Sequence, residues 1–112
     1  MAEDRELLEL AAKAAGIDLQ PDPYSGLMWV REKPEDRSGL VWNPLEYSGD
    51  ALELAVRLRI DVQTEDDDGL VGTLMPDGRQ GPCQQVGNDP LAATRRAIVR
   101  AAAEIGRSMS NG

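Results

Sequence analysis

The chain has 112 residues, a net charge of −8 and an apolar content of 41%, which predicts one compact domain with a real hydrophobic core. It contains no histidine and one cysteine, so Ser-His-Asp triads, histidine acid–base catalysis and Cys/His zinc sites are excluded. The acidic balance disfavours direct binding to nucleic acids. We therefore expect a non-catalytic protein without a metal or cofactor.

The first part of the chain predicts one helix followed by a hairpin. The helix covers Asp4–Ala15 and ends at Gly16. Its predicted core face comprises Leu7, Leu10, Ala11 and Ala14. The proline-rich segment Ile17–Pro23 predicts an irregular connector. Strands are expected at Leu27–Arg31 and Gly39–Trp42, joined by the polar loop 32–38.

A second helix is predicted to begin near Ser48 or Asp50, either of which can cap it, and to end at residue 58 or 59. We expect this helix to be largely buried. Its apolar positions are Ala51, Leu52, Leu54, Ala55, Val56 and Leu58. Only Glu53 and Arg57 lie clearly outside, at a spacing that favours an ion pair.

Three further strands are expected at Ile60–Thr64, at Leu70–Met75 and around Gln80–Val86. Pro76–Gly78 is the clearest turn in the chain, because proline presets φ and glycine accepts a positive φ. Pro82 lacks an amide hydrogen, so the third of these strands is expected to be short or at an edge.

The last helix has Asp89 as its N-cap and Pro90 in its first position, and it is predicted to end at Gly106. Its expected core face comprises Leu91, Ile98, Ala102 and Ile105. Residues 107–112 are expected to form a flexible tail.

Together these elements predict a single α+β domain over residues 1–106. The expected order is α-β-β-α-β-β-β-α, with a mainly antiparallel sheet of four to five strands packed with three helices. We expect no internal repeat.

The four aromatic residues lie close together in the sequence: Tyr24, Trp29, Trp42 and Tyr47. Pairing of residue 31 with residue 39 would bring the two tryptophans close on neighbouring strands. Both tryptophans suit the core. Alternatively, the four rings form a partner-binding patch, because aromatic side chains dominate protein-binding hot spots.

Arginines provide the second set of candidate partner-binding residues. Arg96 and Arg100 lie on the predicted outer face of the last helix, where they can contact a partner or pair with acids of the same domain. Arg95 lies at the core edge, and we expect its guanidinium to reach a carboxylate such as Glu46 or Asp50.

The acidic run 65–68 does not match a calcium-binding loop, since Thr64 and Met75 occupy ligand positions of that motif. Asp66 and Asp68 can face one side and attract hydrated Mg²⁺, but a solvated turn is the explanation that we favour.

The acidic N-terminal sequence lacks the features of a signal peptide, and no apolar run is long enough to span a bilayer. The single cysteine cannot form an intrachain disulfide, which suits a reducing compartment. We expect a cytoplasmic protein that makes no membrane contact.

Three segments together resemble a family of small phage and prophage proteins, the phage ABA sandwich domain. They are Trp42–Leu45, Asp50–Val56 and Asp89–Ala102. The resemblance covers about residues 4 to 106. It implies a helix/sheet/helix sandwich encoded by a tailed bacteriophage or prophage, and it implies no catalytic residues.

The leading functional hypothesis is an accessory protein that binds a host or phage protein, for example to inhibit a bacterial defence system. The alternative is a protein that sequesters a small ligand such as a signalling nucleotide, with Trp29 or Trp42 stacking on a base and Arg95 or Arg100 binding phosphate. Metal-dependent hydrolysis at Asp66 and Asp68 is the third hypothesis.

Overall fold

The computed structural model describes residues 2–21, 28–30, 40–65 and 69–111. Three helices span Ala2–Ala15 (α1), Ser48–Leu58 (α2) and Pro90–Asn111 (α3). Six strands span Leu19–Pro21 (β1), Met28–Val30 (β2), Leu40–Val41 (β3), Asp61–Glu65 (β4), Leu70–Leu74 (β5) and Gln84–Gln85 (β6). The α+β class with three helices is confirmed. The predicted loop 32–38 and the carboxylates of Asp66 and Asp68 lie outside the described residues.

The described strands form two three-stranded antiparallel sheets, ordered β1-β2-β3 and β4-β5-β6. The predicted sheet of four to five strands is not confirmed, because the six described strands form two sheets, and the predicted element order is not confirmed, because an additional strand, β1, lies in the predicted irregular connector. Its proline, Pro21, ends an edge strand, where a missing amide hydrogen is tolerated. The pairing of Trp29 with Val41 agrees with the hairpin register expected from the sequence.

Among the described residues, α1-β1-β2 and α2-β4-β5 repeat one structure at an offset of 43 residues, so the expectation of no internal repeat is wrong. In the first sheet Leu19 pairs with Val30; in the second, Val62 pairs with Thr73. Residue 19 thus corresponds to residue 62, and residue 30 to residue 73. The buried positions 8, 11 and 12 of α1 correspond in the same way to the buried positions 51, 54 and 55 of α2.

The helices of this repeat also end alike. The amide of Gly16 donates to the carbonyl three residues earlier, and that of Ile17 donates to the carbonyl five residues earlier. Arg59 and Ile60 make the same two bonds at the end of α2. These bonds define a Schellman cap, and its left-handed residue has a φ of 73° at Gly16 and 58° at Arg59. A side chain in this conformation costs about 1 kcal/mol relative to glycine.

Helix α3 packs beside α1 and runs in the same direction. Asp4 of α1 forms an ion pair with Arg96, and six residues later Leu10 lies against Gly106. A Cβ atom at residue 106 would overlap the backbone of Leu10. The predicted end of α3 at Gly106 is therefore wrong: this glycine permits a close helix contact, and the helix continues to Asn111.

Helix α2 is also parallel to α1 and α3. Its first residue, Ser48, contacts Arg95 of α3, whereas Arg57 near its other end donates to the carbonyl of Ala15 at the end of α1. Each of three antiparallel strands reverses the chain. A three-strand connection therefore returns the chain to the end at which the preceding helix began, so successive helices are parallel.

The main core lies where the three helices meet. Its buried residues are Leu8, Ala11, Ala12, Trp42, Ala51, Leu54, Ala55, Ile60, Met75, Ile98, Val99, Ala101 and Ala102. The many alanines let the helix axes approach closely. Two sequence expectations are wrong here, since the predicted core face of α1 omitted Leu8, which is buried while Leu10 is only partly buried, and Leu91 of α3 is exposed. A smaller cluster of Val71, Ala93 and Ala97 joins α3 to the second sheet.

The start of α3 and the predicted turn are confirmed. The Asp89 carboxylate accepts the Ala92 amide at 3.0 Å, as an N-cap does. In the turn, Gly78 has a φ of 90° and Asp77 accepts both the backbone amide and the guanidinium of Arg79. Those two hydrogen bonds, that of the amide first, lower the pKa of Asp77.

Changing Gly106→Ala is expected to destabilise the protein by about 3 kcal/mol, because the added methyl group forces α1 and α3 apart. Urea denaturation measures the loss. Gly49→Ala is the matched control, since a Cβ there meets no atom within 4 Å and the residue is helical. Equal stability of the two variants would contradict the close helix contact.

Changing Arg59→Gly is expected to raise the free energy of unfolding by about 0.5–1 kcal/mol, because glycine adopts the left-handed conformation without strain. The melting temperature, compared with that of the parent chain, reports the gain. A decrease would mean that the Arg59 side chain contributes more than its backbone strain costs.

Candidate functional site

The predicted aromatic patch is only partly visible in the structure. Tyr24 and the side chain of Trp29 lie outside the described part of the chain, although the Trp29 backbone belongs to β2. Trp42 is 7% exposed and belongs to the main core, which favours the core role over a surface role. Tyr47 is 51% exposed and directly precedes α2. Tyr47 is thus the one described aromatic side chain that is widely accessible.

The two arginines predicted to face a partner are half-buried and bound within the domain. Arg96 contacts the Asp4 carboxylate at 2.9 Å and ties α3 to α1. Arg100 donates to the backbone carbonyl of Cys83 and to the side chain of Gln84, both at 2.9 Å, and ties α3 to β6. These contacts favour structural roles for both guanidinium groups.

The segment from Trp42 to Tyr47 makes a tight turn into α2. Asn43 Oδ1 accepts a hydrogen bond from the backbone amide of Leu45 at 3.1 Å. The backbone amide of Asn43 donates to Asp50 Oδ2 at 3.0 Å. Pro44, between them, is fully buried. Asp50 therefore fixes the turn and does not cap the helix, and the N-cap residue Tyr47 makes no side-chain capping bond.

Arg95 holds this turn against α3. Its Nε donates to the Leu45 carbonyl at 2.9 Å and its Nη1 donates to Ser48 Oγ at 3.0 Å. The predicted contact with Glu46 or Asp50 is wrong, because the Asp50 carboxylate is turned towards Asn43 and a backbone carbonyl takes the guanidinium. Arg95 thereby fixes the position at which α2 begins.

Helix α2 is not largely buried, contrary to the sequence expectation. Leu52 is 64% exposed and Val56 is 69% exposed. They lie one turn apart on the same side of the helix, with Gly49 in line one turn before Leu52. We call Gly49, Leu52 and Val56 the α2 face. The predicted ion pair between Glu53 and Arg57 is present beside this face at 3.0 Å.

The internal repeat provides a matched comparison for the α2 face. At an offset of 43 residues, Leu52 corresponds to Glu9 of α1, and Val56 corresponds to Lys13. All four side chains are exposed. The repeated helix therefore accepts charged residues at these two positions, so aliphatic side chains there are not a requirement of the helix itself.

Two further exposed side chains lie near the start of the α2 face. Tyr47 adjoins Ser48, which lies one turn before Leu52. Leu91, 66% exposed, lies one turn before Arg95, whose guanidinium contacts Ser48. Tyr47 and Leu91 are therefore both exposed at the end of the molecule where α2 and α3 begin.

Among the described residues, no group of three or more histidine, cysteine, aspartate or glutamate side chains is placed to hold a metal ion. Within the same ranges, no helix combines the length and the apolar character that crossing a bilayer requires. What the α2 face offers is exposed aliphatic area.

Comparisons of the chain with protein-family models, with curated protein sequences and with solved structures find no match. The resemblance to phage ABA sandwich proteins therefore rests on the three sequence segments, and the candidate site rests on the geometry of α2.

Changing Arg95→Met is expected to lower the free energy of unfolding by about 1–2 kcal/mol, because the side-chain stem is kept while two hydrogen bonds are lost. Chemical denaturation measures the change. Arg107→Met, at an exposed position of the same helix, is the control and is expected to be within about 0.5 kcal/mol of the parent. Equal effects would contradict the tethering role of Arg95.

Proposed function

We propose that this protein acts by binding another protein through the α2 face and performs no catalysis. The supporting observation is that Leu52 and Val56 are aliphatic and exposed at positions where α1 carries Glu9 and Lys13. Exposed aliphatic area that the fold does not require is typical of a protein-interaction surface.

Burial of the α2 face against a partner would contribute to binding. Full burial of a leucine or valine side chain contributes about 1.5–3 kcal/mol. Tyr47 adds a ring with a polar hydroxyl group, a residue type that is common among the strongest contributors to interfaces. Leu91, in the first turn of α3, is a further exposed aliphatic side chain.

The resemblance to phage and prophage proteins supports a more specific form of this proposal. The partner is a host or phage protein in the bacterial cytoplasm, and the outcome is inhibition of a host-defence system. A small acidic chain that lacks histidine suits inhibition by contact, which requires surface complementarity and no chemical step.

We favour protein binding over sequestration of a small ligand. The ligand hypothesis needs a ring for stacking and guanidinium groups for phosphate. Trp42 is buried, the side chain of Trp29 lies outside the described residues, and Arg95 and Arg100 already donate to groups of the domain. Calorimetric titration with a nucleotide panel separates the two hypotheses, and binding at Arg95 or Arg100 would favour the ligand.

The test is affinity capture from lysates of bacterial hosts with the parent chain and with the double variant Leu52→Glu/Val56→Lys. This variant gives α2 the residue types that α1 has at equivalent positions, and it leaves the net charge at −8. We expect the variant to fold and to capture the specific partner at least about tenfold less well, because burial of two aliphatic side chains is lost.

The control is Glu9→Lys/Lys13→Glu, which exchanges charges on the equivalent face of α1 and also preserves the net charge. It is expected to capture the same partner as the parent. Equal capture by all three chains would exclude the α2 face, and the absence of a specific partner across several hosts would contradict the protein-binding function.

A further inference from the structure

We draw no further inference here: the strongest candidate, the exposed row of Gly49, Leu52 and Val56 along α2 that Arg59 continues, belongs to the surface already proposed for protein binding, and nothing in the structure shows what covers it.

Discussion

The close contact between α1 and α3 is the constraint on which the rest of the structure depends. Gly106 lets the backbone of α3 meet that of α1 at Leu10, and the ion pair between Asp4 and Arg96 fixes the other end of the same contact. With α3 held there, Arg95 and Arg100 reach from it to the turn before α2 and to the loop before β6. The helix thus organises both halves of the chain through contacts made by its own side chains.

Much of the fold follows from local sequence signals. The N-cap at Asp89, the stop at Gly16 and the turn at Pro76–Gly78 all depend on neighbouring residues only, and each is confirmed. The role of Gly106 is different, because a glycine late in a helix pattern reads as a stop until the neighbouring helix is known. Arg95 is similar: its position at the core edge was predictable, but its acceptor depends on where Asp50 points.

The candidate site was less accessible to sequence reasoning. A helix that is apolar on most sides predicts burial, and nothing local distinguishes Leu52 and Val56 from Leu54 and Ala55. A signal was nevertheless present. Ile-Asp-Leu-Gln at 17–20 recurs as Ile-Asp-Val-Gln at 60–63, and Gly-Leu at 26–27 recurs at 69–70. This alignment puts Leu52 at the position of Glu9. It thereby shows that an aliphatic residue in α2 replaces a charged residue of α1.

The parallel arrangement of the three helices has an electrostatic consequence. Each helix carries a partial positive charge at its first turn, and parallel helices collect these charges at one end of the molecule. Each start also has a carboxylate: Asp4 in α1, Asp50 in α2 and Asp89 before α3. Part of the acidity of this chain therefore offsets a field that its own backbone creates, and only the remainder sets the electric potential around the protein.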